Sequence, residues 1–204
     1  LVTCLQGGES ANRETLGRLH LPGKIEIFAI LAGVLAGALY GLCAKVGPEW
    51  LAAIVPAIPL LAYWAWAASD GFTSAGVAQA YGRTRKRWAG TLVLKVVVSQ
   101  AFIAMSGALP ALLIDATLPL SPFVFFAIAG VAALLAGKAM EMLLPNSSHF
   151  PVLIAWISGR EMLNPQTYDP ASAVVVYALS GILLGVAGCI IVPYLFGAVN
   201  VKRA

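Results

Sequence analysis

The chain alternates between long apolar runs and short polar segments. Five runs are long enough to form membrane spans, and they cover positions 25–44, 50–69, 89–113, 123–144 and 171–199. An α-helix needs about 20 apolar residues to cross the hydrocarbon core of a bilayer, which is about 30 Å thick. The pattern therefore predicts an all-α, polytopic bundle of five transmembrane helices.

A shorter apolar piece lies in the irregular segment 145–170. It runs from Phe150 to Ile157, which is too short to cross the hydrocarbon core by itself, so a re-entrant or interfacial helix is favoured. If this piece crosses with the help of its flanks, the bundle has six spans. At the other end of the chain, residues 1–23 are predicted to be a polar tail, and residues 24–204 form the transmembrane helical domain.

The overall composition agrees with this division. Hydrophobic residues make up 60% of the chain and charged residues 11%, and the mean hydropathy is +0.86. A soluble domain has about a quarter of its residues charged, because it needs a polar shell around its core. This chain lacks the residues for such a shell, so lipid is expected to cover its outer surface.

Basic residues cluster between the second and third predicted spans. Arg83, Arg85, Lys86 and Arg87 lie close together, and the formal net charge of the chain is +4. Lys and Arg beside a span resist translocation, so this loop is expected on the cytoplasmic side, and the N-terminus with it. We expect an integral protein of a bacterial inner membrane. No basic face with interleaved aromatic residues is visible in the sequence, so nucleic acid is not an expected partner.

The number of spans decides the side of the C-terminus. With five spans, Lys202 and Arg203 lie on the side opposite to the 83–87 loop, against the usual distribution of basic residues. With six spans, both ends of the chain lie on the same side. The five-span arrangement is favoured because the additional apolar piece is short.

Small residues form stripes along two of the predicted spans. A residue without a large side chain lets two helix backbones approach closely, so each stripe predicts a helix–helix contact, either within the chain or with a partner. The two stripes consist of Ala29, Gly33, Gly37 and Gly41 in the first span, and of Gly181 and Gly185 in the last span.

Ionisable and polar residues at similar predicted depths form a candidate intramembrane polar cluster. Charged groups inside a membrane are costly, so they are expected either to pair or to extend to the headgroups, and the sequence leaves both possibilities open. The serine of this cluster lies on one helix face with Lys95, and that face lines a pathway or binds a neighbouring helix. The cluster consists of Glu26, Lys95, Ser99, Lys138 and Glu141.

Two further features of the spans bear on packing. Tyr63, Trp64 and Trp66 near the end of the second span suit the headgroup level, where an amphipathic ring is favoured. Gln100 projects from a different face of the third span than Ser99 does.

Signals for catalysis and for metal or cofactor binding are weak. Ser106-Gly107 and Ser158-Gly159 are serine–glycine steps of the kind used by intramembrane serine proteases, but His149 is expected outside the membrane, where it cannot serve as their base. The three cysteines have no metal-binding spacing. We therefore expect no catalytic residue, no metal and no cofactor.

Three functions from different classes fit these features. The favoured one is a non-catalytic subunit of a larger membrane assembly, which docks on other subunits through its small-residue helix faces. The second is a small oligomeric transporter or channel. The third is an intramembrane enzyme, and the weak catalytic signals make it the least favoured.

Overall fold

The computed structural model describes residues 23–48, 51, 54–144, 146–159 and 170–198. These residues form helices and no strand, which confirms the predicted all-α class. A π-helical turn, Ala67–Gly71, directly continues the second helix. The helices are α1 (Lys24–Val46), α2 (Ala57–Trp66), α3 (Ala75–Ala80), α4 (Arg85–Ile114), α5 (Ser121–Leu143), α6 (His149–Gly159) and α7 (Pro170–Leu195).

Four of these helices, α1, α4, α5 and α7, are long and apolar enough to cross a membrane. The chain is therefore an integral membrane protein. The predicted span 50–69 is described only in part, as α2 and the π-helical turn, because residues 49, 50, 52 and 53 lie outside the described residues. The predicted tail before Gly23 and the basic residues Lys202 and Arg203 also lie outside them.

Local sequence explains where α4 and α5 begin. The Thr84 side chain accepts a hydrogen bond of 3.3 Å from the Arg87 backbone N–H, which satisfies one of the free donors at the start of α4. Pro122 lies in the first turn of α5, where its missing N–H costs no helical hydrogen bond.

The glycine stripe of α1 packs directly on α4. A Cβ atom at Gly37 would overlap the carbonyl oxygen of Gly107, and one at Gly33 would lie 2.8 Å from the carbonyl oxygen of Ile103. Farther along, a Cβ at Gly41 would lie 2.8 Å from the Cβ of Ile114. Because residue numbers rise together on the two helices, α1 and α4 run parallel, with their backbones in contact.

Helix α5 is the centre of the bundle. In the apolar 18-residue stretch of α5, 67% of the residues are buried. The corresponding share is 39% in α1, 28% in α4 and 22% in α7. Small residues dominate its buried surface, among them Ala129, Ala132, Ala133 and Ala136. A helix of this kind accepts neighbours on nearly every side, and α4, α6 and α7 all contact it.

The two ends of the bundle carry different loops. The N-terminal end of α4, with Arg83, Arg85, Lys86 and Arg87, defines what we call the basic end. At the opposite end the Tyr40 hydroxyl donates to the Pro119 carbonyl over 3.2 Å. There, hydrogen bonds from the Thr117 hydroxyl and backbone N–H to Asp115 hold the pKa of its carboxyl below the usual value.

The C-terminal part of α7 lies at the basic end. Arg85 donates to the carbonyl oxygen of Tyr194 over 3.1 Å, and its guanidinium lies 4.9 Å from the centroid of the Tyr194 ring. Gln79 Nε2, in α3, donates to the Tyr194 hydroxyl over 2.8 Å. Because Phe125 and Tyr177 are in contact near the starts of α5 and α7, these two helices run parallel, both towards the basic end.

Helix α6 packs along α5 in the opposite direction. The Ser148 carbonyl, just before α6, lies against Gly137, whereas Gly159 at its end lies against the Phe126 ring. Helix α6 therefore runs antiparallel to α5, away from the basic end, although it is only about 16 Å long at 1.5 Å per residue. This direction is the one that the six-span alternative requires. Among the described residues, α1, α4, α5 and α7 are long and apolar enough to cross a membrane, and α6 is a shorter apolar helix.

This arrangement predicts which loops share a side of the membrane. In a background without the three native cysteines, we expect Thr84→Cys and Ala198→Cys to react with an impermeant thiol reagent from the same side, and Thr117→Cys from the other side. All three positions are exposed. Labelling of sealed, right-side-out and inverted vesicles measures this. If Thr84→Cys and Ala198→Cys react from opposite sides, the chain crosses an odd number of times and the assigned direction of α6 or α7 is wrong.

Candidate functional site

The first candidate site is a buried ion pair on α5. Lys138 Nζ lies 2.8 Å from Glu141 Oε2, one turn along the same helix, and the Lys138 side chain is 1% exposed. The ammonium also donates to the Ser69 carbonyl oxygen, in the π-helical turn, over 3.4 Å. The carboxylate is 27% exposed, so the pair joins a fully buried cation to an anion that reaches the surface.

The structure separates Lys95 and Glu26 from this pair. Lys95 is exposed on the outer face of α4, and in the part of the chain that the structure describes no carboxylate lies within 4.0 Å of its ammonium. Glu26 is half-buried near the start of α1, on the side of Tyr63. The predicted cluster of five residues therefore consists of one ion pair and three residues that lie elsewhere.

Ser99 belongs to a second, neutral group in the middle of the bundle, which we call the central polar group: Tyr63, Trp64, Ser99 and Gln100. Trp64 Nε1 donates to Gln100 Oε1 over 3.1 Å, and both side chains are buried. The Ser99 hydroxyl donates to the Val96 carbonyl over 2.9 Å. This group links α2 to α4 through the Trp64–Gln100 hydrogen bond and carries no formal charge.

Two polar atoms of the central polar group lack a hydrogen-bond partner among the described residues. They are the Tyr63 hydroxyl, which faces Ser99 without hydrogen-bond geometry, and Gln100 Nε2. A buried donor without a partner costs about 1–3 kcal/mol. The group is able to hydrogen-bond a small neutral molecule, but Trp64 and Gln100 pack tightly on Gly130, and Phe126 stacks on Trp64 with ring centroids 5.2 Å apart.

The four basic residues at the basic end have different surroundings. Arg85 is half-buried and holds α7, as described above, whereas Arg83, Lys86 and Arg87 are exposed. These three side chains can meet lipid headgroups, water or another protein.

The second glycine stripe is open. Among the described residues, an ideal Cβ atom at Gly181, Gly185 or Gly188 would meet no side chain and no other helix within 4 Å, in contrast to one at Gly33, Gly37 or Gly41. The two stripes of similar sequence therefore have different surroundings: the stripe of α1 is covered by α4, and the stripe of α7 lies on the outside of the described bundle.

The serines of the two serine–glycine steps form hydrogen bonds within their own helices. Ser106 Oγ donates to the Ile103 carbonyl, and Ser158 Oγ donates to the Ile154 carbonyl over 2.8 Å. His149 is exposed at the start of α6. Across the described residues, no three His, Cys, Asp or Glu side chains are grouped in a way that could hold a metal ion.

The sequence-based prediction for Trp64 was an aromatic ring at the headgroup level. In the structure the ring is fully buried, and its Nε1 donates a hydrogen bond to Gln100. A glutamine in an apolar run indicates that some donor lies opposite, yet only the packing of α2 on α4 identifies Trp64 as that donor.

No family model, no curated protein and no solved structure matches this chain. Any function must therefore be argued from its residues.

Because one glycine stripe is covered and the other is open, the same substitution should affect stability differently in the two stripes. Gly37→Leu should destabilise the isolated protein by about 3 kcal/mol or more, because the side chain would have to separate two backbones that cannot repack locally. Gly185→Leu, at an open position, should leave the melting temperature in detergent unchanged. Thermal unfolding of both variants and the parent protein measures this. Equal melting temperatures for all three would show that α1 does not pack on α4 through its glycines.

Because Lys138 is more deeply buried than Glu141, we expect the two single substitutions of the ion pair to cost different amounts of stability. Glu141→Gln leaves a fully buried ammonium with only the Ser69 carbonyl and should cost about 3 kcal/mol. Lys138→Met leaves a carboxylate that is already partly exposed and should cost on the order of 1 kcal/mol. The double variant should be more stable than Glu141→Gln alone. Unfolding of the four proteins in one detergent tests this; strict additivity of the two single effects would mean that the residues do not interact.

Proposed function

We propose that this protein is a non-catalytic subunit of a membrane assembly, and that a helix of another subunit docks on α7. The observation that carries the proposal is the open stripe of Gly181, Gly185 and Gly188: among the described residues, no side chain or other helix lies within 4 Å of their ideal Cβ positions.

The stripe has the geometry of a docking groove. Its glycines are four and three residues apart, so they share one helix face. Tyr177 lies one turn before them and Val192 one turn after, both exposed, so that larger side chains close the groove at its ends. A helix in lipid gains little from hydrophobic burial, and close backbone approach along such a groove is the main attraction available to it.

The same chain shows what such a stripe is able to bind. On α1, glycines at four-residue spacing hold α4 at backbone contact, so a partner helix with small residues at matching positions is the expected occupant of α7. Helix α7 also has the smallest buried share among the four long helices, which leaves most of its surface available.

A small transporter is the second candidate function. What favours it is the central polar group, with the unpartnered Tyr63 hydroxyl and Gln100 Nε2 in the interior of a membrane bundle. Polar groups at such depth often mark a solute or ion pathway. What counts against it is the tight packing of Trp64 and Gly130 on Gln100, together with the absence of charge in the group.

The subunit proposal is tested by mass measurement of the protein extracted from its native membrane in mild detergent. We expect the parent protein to carry at least one other polypeptide in fixed stoichiometry, and Gly185→Leu to lose it while keeping its own melting temperature. Ile182→Leu is the matched control, since it changes an exposed residue of the same helix at constant volume, and it should retain the partner. A homo-oligomer that survives Gly185→Leu would contradict the proposal and favour the transporter.

A further inference from the structure

An open cleft lies on the outer surface of the bundle at its basic end. It lies between the segment that follows α2 and the first part of α4. The residues that line it include Phe72, Thr73, Arg83, Trp88, Thr91 and Lys95.

The charge of the cleft is positive. Arg83 and Lys95 both line it, and no Asp or Glu is among its lining residues. Within the described ranges, neither cation has a carboxylate within 4.0 Å. Two neighbouring cations without an internal counter-ion attract an anion, and more strongly where the surroundings have a low dielectric constant.

The position of Lys95 indicates where that anion lies. Val93, Leu94 and Val97 beside it are exposed apolar residues of a membrane helix, so this face of α4 contacts lipid. Side chains on a helix tilt towards its N-terminus, and a lysine near the end of a membrane helix extends its ammonium to the headgroups. Since Lys95 and Arg83 line the same cleft, we infer that the Lys95 ammonium extends towards the headgroups at the basic end.

The wall of the cleft is held in place by hydrogen bonds. Trp88 is 3% exposed, and its Nε1 donates to the Thr73 carbonyl over 2.9 Å. The Trp88 ring also packs edge-on against Tyr194 of α7, with ring centroids 5.6 Å apart. Thr91 Oγ1 donates to the Arg87 carbonyl over 2.7 Å. Trp88 thus joins the wall of the cleft both to the segment after α2 and to α7.

From these observations we propose that the cleft binds the phosphodiester of an anionic membrane phospholipid, with Arg83 and Lys95 as the cationic ligands. An arginine and a lysine suit a phosphate, since the guanidinium offers paired donors and the ammonium a compact charge. The lipid chains would lie along the exposed apolar face of α4. The proposal is independent of the docking of α7.

The test is thermal unfolding of the delipidated full chain in a neutral detergent, titrated with phosphatidylglycerol or phosphatidylcholine in mixed micelles. We expect phosphatidylglycerol to raise the melting temperature saturably and phosphatidylcholine to have much less effect. Lys95→Met and Arg83→Gln should each raise the half-saturating phosphatidylglycerol concentration about tenfold, as expected for loss of one charge-assisted contact. Lys95→Arg should bind like the parent protein.

The control variant is Lys86→Gln, which removes an exposed basic residue outside the cleft and should leave the titration unchanged. An equal loss in Lys86→Gln and Lys95→Met would overturn the proposal, because it would mean that the lipid responds to total surface charge. Equal stabilisation by the two lipids would overturn it as well. Inorganic phosphate is the last arm: if it protects as well as the lipid does, the ligand is a soluble phosphate and the lipid assignment is wrong.

Discussion

The backbone contact between α1 and α4 is the constraint on which the rest of the bundle depends. Gly37 and Gly107 meet with no side chain between them, so the two helices are fixed in register and in parallel orientation. Parallel neighbours require the chain to return between them, and α2 with its π-helical turn makes that return. The contact also brings Tyr40 against Phe123, with ring centroids 5.4 Å apart, which positions the start of α5. Dispersion between closely packed backbones replaces the hydrophobic effect, which is weak between helices in lipid.

A second constraint acts on the polar groups of the interior. A charge without a counter-charge, or a donor without an acceptor, is costly in a medium of low dielectric constant. The Lys138 ammonium meets this cost with a carboxylate and a backbone carbonyl, which the irregular turn at Ser69 supplies. Gln100 meets it only in part, because its oxygen is bonded to Trp64 and its nitrogen is not. The interior therefore contains two kinds of polar site: an ion pair whose charges are compensated, and a neutral group with unused hydrogen-bonding capacity.

The sequence was sufficient for the features that depend on composition and length. The long runs at 25–44, 89–113 and 123–144 became α1, α4 and α5, since an apolar segment of that length has only one stable form in a bilayer. The spacing of Lys138 and Glu141 on one helix allowed a pair, but it left open whether they pair or extend to the headgroups, and the structure shows the pair. The sequence did not reveal which helices are neighbours. Trp64, Lys95 and the direction of α6 were misjudged or left open for that reason, because each depends on the tertiary contacts of α2, α4 or α5 and not on its own segment.

The shortness of α6 has a consequence for how the protein is made. A translocation channel releases a segment into lipid when its own apolar length is sufficient, and eleven residues are too few for that. Helix α6 is held by contacts that other helices provide: Trp156 donates to the Ala57 carbonyl over 3.1 Å, and Gly159 lies against Phe126. These surfaces exist only after α2 and α5 have been inserted and have come together. We therefore expect α6 to take its place in the bundle during assembly, later than synthesis of the segment itself, so that this part of the topology forms together with the tertiary structure.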